Sequence, residues 1–145
     1  MTAAADVSRT HVQACRADLD AQLAAYRNLI AAASKASGMS LTRIDAALAA
    51  FEPGYFNHLL LALDGRLARA ATAGPANSPA VLEVRLLCDG LARHGGVLVV
   101  PASAGYEPSR SVLGLDAGDP VALDADDFIA LSTAFLDAVE AACQG

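Results

Sequence analysis

Tryptophan is absent from this sequence, and its aromatic side chains amount to four Phe and three Tyr. A platform of stacked rings for single-stranded nucleic acid is therefore excluded. Cysteine is scarce as well: Cys15, Cys88 and Cys143 lie far apart, with no C-x-x-C pair among them. An odd, scattered set excludes a disulfide framework and is the usage of a reducing compartment. Basic residues are the minority, 10 Lys and Arg against 16 Asp and Glu for a formal charge of −6. That balance excludes a chain that coats nucleic acid by charge alone. Long apolar runs are missing too. The richest stretches are cut by Asp64, Arg66, Arg69 and His94, well short of the ~20 residues a membrane span requires. No basic n-region, apolar h-region and cleavage site opens the chain, so a cytoplasmic protein without membrane contact is expected.

What is there suits one domain over 1–145: 145 residues, 54% hydrophobic and 18% charged, enough for a single packed core. From Asp6 to Ser37, Leu19, Leu23, Tyr26, Ile30 and Ala33 recur at intervals of four, three, four and three, which predicts one long helix. Asp6 would cap its start and Gly38 its end. At roughly 45 Å, such a helix is longer than a domain of this size covers, so residues 1–37 are expected to dimerise. Ser40 caps a second helix, Leu41 to Phe51, on which Ile44, Ala47, Leu48 and Phe51 share a face. Pro53 suits the first turn of a third, Gly54 to Leu63, closed by the Asp64-Gly65 turn.

Arg66 to Thr72 and Val81 to Leu87 read as two strands around a loop of Gly74, Pro75, Asn77, Ser78 and Pro79. The alternative makes Pro79 to Arg93 a helix. Val97 to Val100 reads as a buried strand, with Ser111 to Leu115 and Val121 to Leu123 as a small hairpin. Asp124 caps a last helix to about Cys143, striped by Phe128, Leu131, Phe135, Val139 and Ala142. The expected class is thus α+β, mostly helical. A homodimer is expected to join through Leu19, Leu23, Tyr26, Ile30, Phe128, Phe135 and Val139, because both terminal helices carry apolar arcs wider than one core needs.

Chemistry is sparse. His11, Cys15 and Asp18 stand one helical turn apart but lack a fourth metal ligand. The cluster Asp116, Asp119, Asp124, Asp126 and Asp127 lacks calcium-loop spacing and reads as turn and cap residues. No serine sits in G-x-S-x-G, and no Gly-Lys-Ser/Thr follows Gly95-Gly96. No catalytic residue, metal or cofactor is expected.

The order of elements from about Ala25 to His94 resembles the winged helix-turn-helix of MarR-type regulators: helix, supporting helix Leu41 to Phe51, recognition helix from Gly54, then a two-stranded wing. The resemblance implies a homodimeric transcriptional regulator that binds double-stranded DNA with residues 38–94. Tyr55, Asn57 and His58 would face the groove, and Arg66 and Arg69 would touch phosphates. Charge permits this, since residues 1–75 carry 7 basic and 6 acidic groups while 76–145 carry 3 and 10. The acidic segment 95–145 stands apart from the candidate DNA face. The other reading is a small acidic protein-binding module, similar in composition to type III secretion chaperones, or an adaptor or immunity protein, holding a protein partner and no DNA.

Overall fold

The computed structural model describes residues 2–36, 41–73 and 78–144, with side chains over 9–35, 43–67 and 78–143. Its elements are α1 (Thr2–Ala36), α2 (Leu41–Ala73), α3 (Pro79–Arg93), a 3-10 turn at Pro108–Arg110, and α4 (Ala125–Gln144). Among the described residues there is no strand, so the expected α+β class is corrected to all-α. Asp6, expected to cap the start of α1, lies inside that helix, which begins at Thr2, while the capping assigned to Gly38 and Ser40 and the loop at Gly74, Pro75 and Asn77 lie outside the described residues.

The largest correction is α2, which runs unbroken through both predicted turns. Pro53 has no N–H for the Ala49 carbonyl, a loss of about 3 kcal/mol in a helix interior, and Gly54 and Gly65 each cost about 1 kcal/mol against Ala. Phe56, Leu60, Leu63 and Leu67 decide the outcome. They recur at four, three and four residues, and all are buried, each contributing about 1.5–3 kcal/mol relative to exposure. That sum exceeds the penalty of the breakers only if the face stays in phase, which one continuous helix ensures. Arg66 to Thr72 is accordingly helix rather than strand.

The second predicted wing strand, Val81 to Leu87, lies in α3. Ser78 Oγ accepts the Val81 N–H at 3.4 Å, and Pro79 occupies the first turn, where its missing N–H costs nothing. Val84, Leu87 and Cys88 then form a helical stripe that is buried. Gly95 ends the helix in the left-handed region at φ 66°, which a residue with a Cβ adopts at a penalty. The helical alternative for Pro79 to Arg93 is the one observed.

Residues 94–124 cross from α3 to α4 without a sheet. Val97 forms a single antiparallel bridge with Pro120, supported by Leu98 N–H to the Asp119 carbonyl at 2.9 Å and Val121 N–H to the Gly96 carbonyl at 2.8 Å. Pro101 and Pro120 carry no N–H, so a ladder cannot propagate past them. The predicted pairing of Ser111 to Leu115 with Val121 to Leu123 is replaced by this contact. Asp124 caps α4 as expected: its Oδ1 accepts Asp127 N–H at 2.8 Å, and Asp127 Oδ2 accepts Asp124 N–H at 3.3 Å.

α4 packs against all three other helices, and α1 and α3 flank the central α2 and α4 pair. The core is built by Val12, Cys15 and Leu19 of α1, the α2 stripe, Val84 and Leu87 of α3, and Phe128, Leu131, Phe135 and Val139 of α4. α4 starts beside Glu52, whose Oε2 accepts the Ala125 N–H at 3.4 Å. Residues 27–36 and 41–51 extend past that point as a two-helix arm. Among its described side chains only Ile44 is buried, outside the main core cluster, and Ile30 and Leu48 are half-buried.

Candidate functional site

The buried polar groups all hold the fold together. Glu83, 1% exposed, accepts the N–H groups of Val112 at 2.7 Å and Leu113 at 3.0 Å, tying the crossover to α3. Glu52 accepts the Tyr26 hydroxyl as well as Ala125 N–H, joining three helices at one carboxylate. Burial, then this carboxylate, push the Tyr26 phenol well above its ordinary value. Cys88 is pushed up to about 12 by burial and then by Asp64, and burial raises Cys15 too. Thiols so disfavoured as thiolates make poor nucleophiles. No buried side-chain polar atom among the described residues lacks a partner.

The metal-ligand spacing noted in α1 does not converge. His11 Nε2 donates to the Arg66 carbonyl at 2.7 Å, Asp18 pairs with Arg66 at 3.0 Å, and Cys15 faces the core. Among the described residues no group of three His, Cys, Asp or Glu side chains is placed to hold an ion.

The residues assigned to DNA sit on one helix, where the spacing puts Tyr55, His58, Arg66 and Arg69 on one face and Asn57 on the opposite one. Asn57 turns inward, its amide donating to the Val121 carbonyl at 3.0 Å and accepting Leu123 N–H at 3.2 Å. His58 Nδ1 donates to the Gly54 carbonyl at 2.6 Å. Tyr55 donates to Gln22 Oε1 at 3.0 Å, and Arg66 is paired with Asp18. The Arg69 side chain lies outside the described ones. The residues assigned to a dimer interface lie in or against the core of the chain. Leu19, Tyr26, Phe128, Phe135 and Val139 are buried by their own chain, and Leu23 and Ile30 pack on the same core. The wide arcs on α1 and α4 are filled intramolecularly, because α4 touches three helices rather than one.

A different surface emerges along the outer seam between α1 and α2. A depression of about 310 Å³ opens there over Ala21, Leu59, Ala62 and Leu63, bounded by Asp18, Gln22 and Arg66. Gln22 and Tyr55 continue the seam toward the arm, and Phe51 stacks on Tyr55 with ring centroids 5.2 Å apart. Leu29 follows Gln22 by two helical turns and so shares its face. Phe51 is 50% exposed and Leu29 65%. Beneath them Tyr55 meets Tyr26 at 5.8 Å, Tyr26 meets Phe56 edge-on at 5.1 Å, and Phe56 meets Phe128 at 5.4 Å. The exposed ring therefore stands on an aromatic column rooted in the core. Asp18 and Arg66 are the charged residues lining the depression and pair with each other at 3.0 Å. Low charge with a large, rigidly supported aromatic is the make-up of an interface core.

Sequence reasoning missed this seam. It set Phe51 on a core face with Ile44 and Leu48, and gave Leu29 no role because it falls off the α1 stripe. That displacement was the available signal. A second depression of about 380 Å³, between the start of α3 and the crossover, is polar, with Tyr106, Glu107, Arg110 and Ser111 at its rim.

No family model, curated protein or solved structure matches this chain.

Proposed function

We propose that this chain is a non-catalytic helical module that binds protein through the outer α1/α2 seam. The supporting observation is the exposed Leu29 and the exposed Phe51, the latter stacked on Tyr55, with an apolar depression about two to three turns away on the same seam. A helix-in-groove contact uses such a surface: apolar anchors enter a shallow furrow between two helices, and the neutral Asp18 and Arg66 pair marks its polar rim. The buried acids and amides are already occupied, so the surface offers shape and apolar area in place of reacting groups. The three unpaired cysteines agree with a cytoplasmic site of action. Among the described residues no helix is long and apolar enough to cross a membrane.

Protein binding is favoured over duplex DNA because the recognition helix and wing of the DNA reading are not separate elements in this fold. A photo-reactive residue at position 29 or 133, introduced in the source cells, tests the proposal. Thr133 lies on the exposed outer face of α4. Position 29 is expected to give discrete protein adducts and position 133 none. Equal adducts at both positions, or a purified protein that shifts duplex DNA at low salt, would overturn it.

A further inference from the structure

We infer that the two-helix arm is a cooperative unit of its own, which opens while the rest of the chain stays folded, and that the Glu52 carboxylate is the latch that holds it shut. The opening needs no partner on the seam.

Burial divides the chain unevenly. Among the described side chains of the arm, residues 27–35 and 43–51, Ile44 alone is buried, and it lies outside the main core cluster. Ile30 and Leu48 are half-buried and the rest are exposed. α3, with 15 residues, buries six of them. A segment that hides so little apolar area opens at a lower free energy than the body, because opening brings little of it into water.

The boundary of the unit lies in α2. Pro53 lacks the N–H that the Ala49 carbonyl would accept, so the helix ladder has a gap between arm and body. Gly54 follows at once, and a Cβ there would meet nothing within 4 Å. Packing does not demand a glycine at that point, and its backbone freedom weakens the same turn. Beyond it the body is fixed: Phe56 is fully buried, and Asn57 binds the Val121 carbonyl and the Leu123 N–H at 3.0 and 3.2 Å.

Glu52 secures this boundary from the arm side. Its carboxylate accepts the Tyr26 hydroxyl from α1 and the Ala125 N–H from the first residue of α4, where the N-terminal end of a helix favours negative charge. Tyr26 is buried and packs edge-on against Phe56, so the latch fastens to the body at both of its oxygens. Peeling α2 off α1 as far as Pro53 breaks this contact. It also parts the two helices that carry Leu29 and Phe51.

Native-state amide exchange of the purified full chain tests the inference. In the parent, the Ile30 and Leu48 amides are expected to exchange about a hundredfold faster than those of Leu60 and Leu131, and to share one urea dependence. Tyr26→Phe keeps the ring and removes the hydroxyl, and should speed the arm amides about tenfold. Body amides follow this variant too, since global unfolding also breaks the latch. Pro53→Ala restores the missing bond and should slow the arm amides about tenfold. Val84→Ala removes packing in α3 that only global unfolding disrupts. It should speed Leu60 and Leu131 about tenfold and leave Ile30 and Leu48 within about twofold. Arm amides that exchange at the body's rate in the parent, or that answer Val84→Ala by the same factor as the body, would overturn the separate unit. Arm amides unmoved by Tyr26→Phe would overturn the latch, and arm amides unmoved by Pro53→Ala would overturn its boundary.

Discussion

Replacing Glu83 with Gln probes the carboxylate that ties the Val112–Leu113 stretch of the crossover to α3. The carboxylate is 1% exposed and accepts two backbone N–H groups at 2.7 and 3.0 Å. Hydrogen bonds to a charged acceptor contribute about 1.5–3 kcal/mol each. Glutamine keeps one oxygen for one amide but presents its own NH2 to the other, so one bond is lost and the second weakens. Val112 is 38% exposed, which lets water replace part of the missing acceptor and keeps the cost near the lower end, about 2 kcal/mol. For a chain of this length, with about 3 °C of melting temperature per kcal/mol, the shift is about −6 °C. Thermal unfolding followed by circular dichroism measures it. Amide exchange locates it: protection should fall at Val112 and Leu113 and hold at Leu60 and Leu131. A variant that melts within about 1 °C of the parent with both amides still protected would refute the role given to Glu83.

Other substitutions test the remaining contacts. Gly90→Ala should destabilise by about 1–3 kcal/mol, since a Cβ there would stand 2.5 Å from the Val97 carbonyl oxygen. Gly54→Ala and Gly65→Ala meet nothing within 4 Å and should each stabilise by about 0.5–1 kcal/mol in urea titrations. Asn57→Ala, losing both bonds to the Val121–Leu123 segment, should cost about 1–3 kcal/mol, and Asn57→Asp, which keeps the acceptor, should cost less. Burial raises the Asp64 carboxyl above 3.8, with Arg85 opposing it. A raised carboxyl binds its proton more tightly in the folded chain, so its contribution is fullest below 3.8 and is lost as pH rises through the folded value. Asp64→Asn should therefore raise the melting temperature at pH 7 and lose that advantage below 3.8.

How much of this was legible in the sequence depended on which force decided each element. α1 and α4 were readable because apolar period and burial agree in both, and in α4 the Asp124 cap and the Phe128 to Val139 stripe agree as well. α2 was not, because Pro53 and Gly54 are local signals and the four buried residues from Phe56 to Leu67 act through partners far away in the chain. Val81 to Leu87 misled through β-branched residues, whereas Ser78 and Pro79 held the correct signal. The seam was hidden for a third reason. Whether Phe51 is core or surface depends on where α4 begins, and that is fixed by Glu52 and Ala125 meeting in space.

The central claim is that the α1/α2 seam is covered by protein when the chain works. Hydroxyl-radical footprinting in intact cells, compared with dilute purified protein, tests it most directly. Leu29 and Phe51 belong to the seam, while Val99, 40% exposed, and Val112 lie outside it and serve as references within the same molecule. Leu29 and Phe51 are expected to be protected in cells, with Val99 and Val112 reacting at the same rate in both settings. Oxidation of Leu29 and Phe51 in cells at the rate of the dilute protein would contradict it.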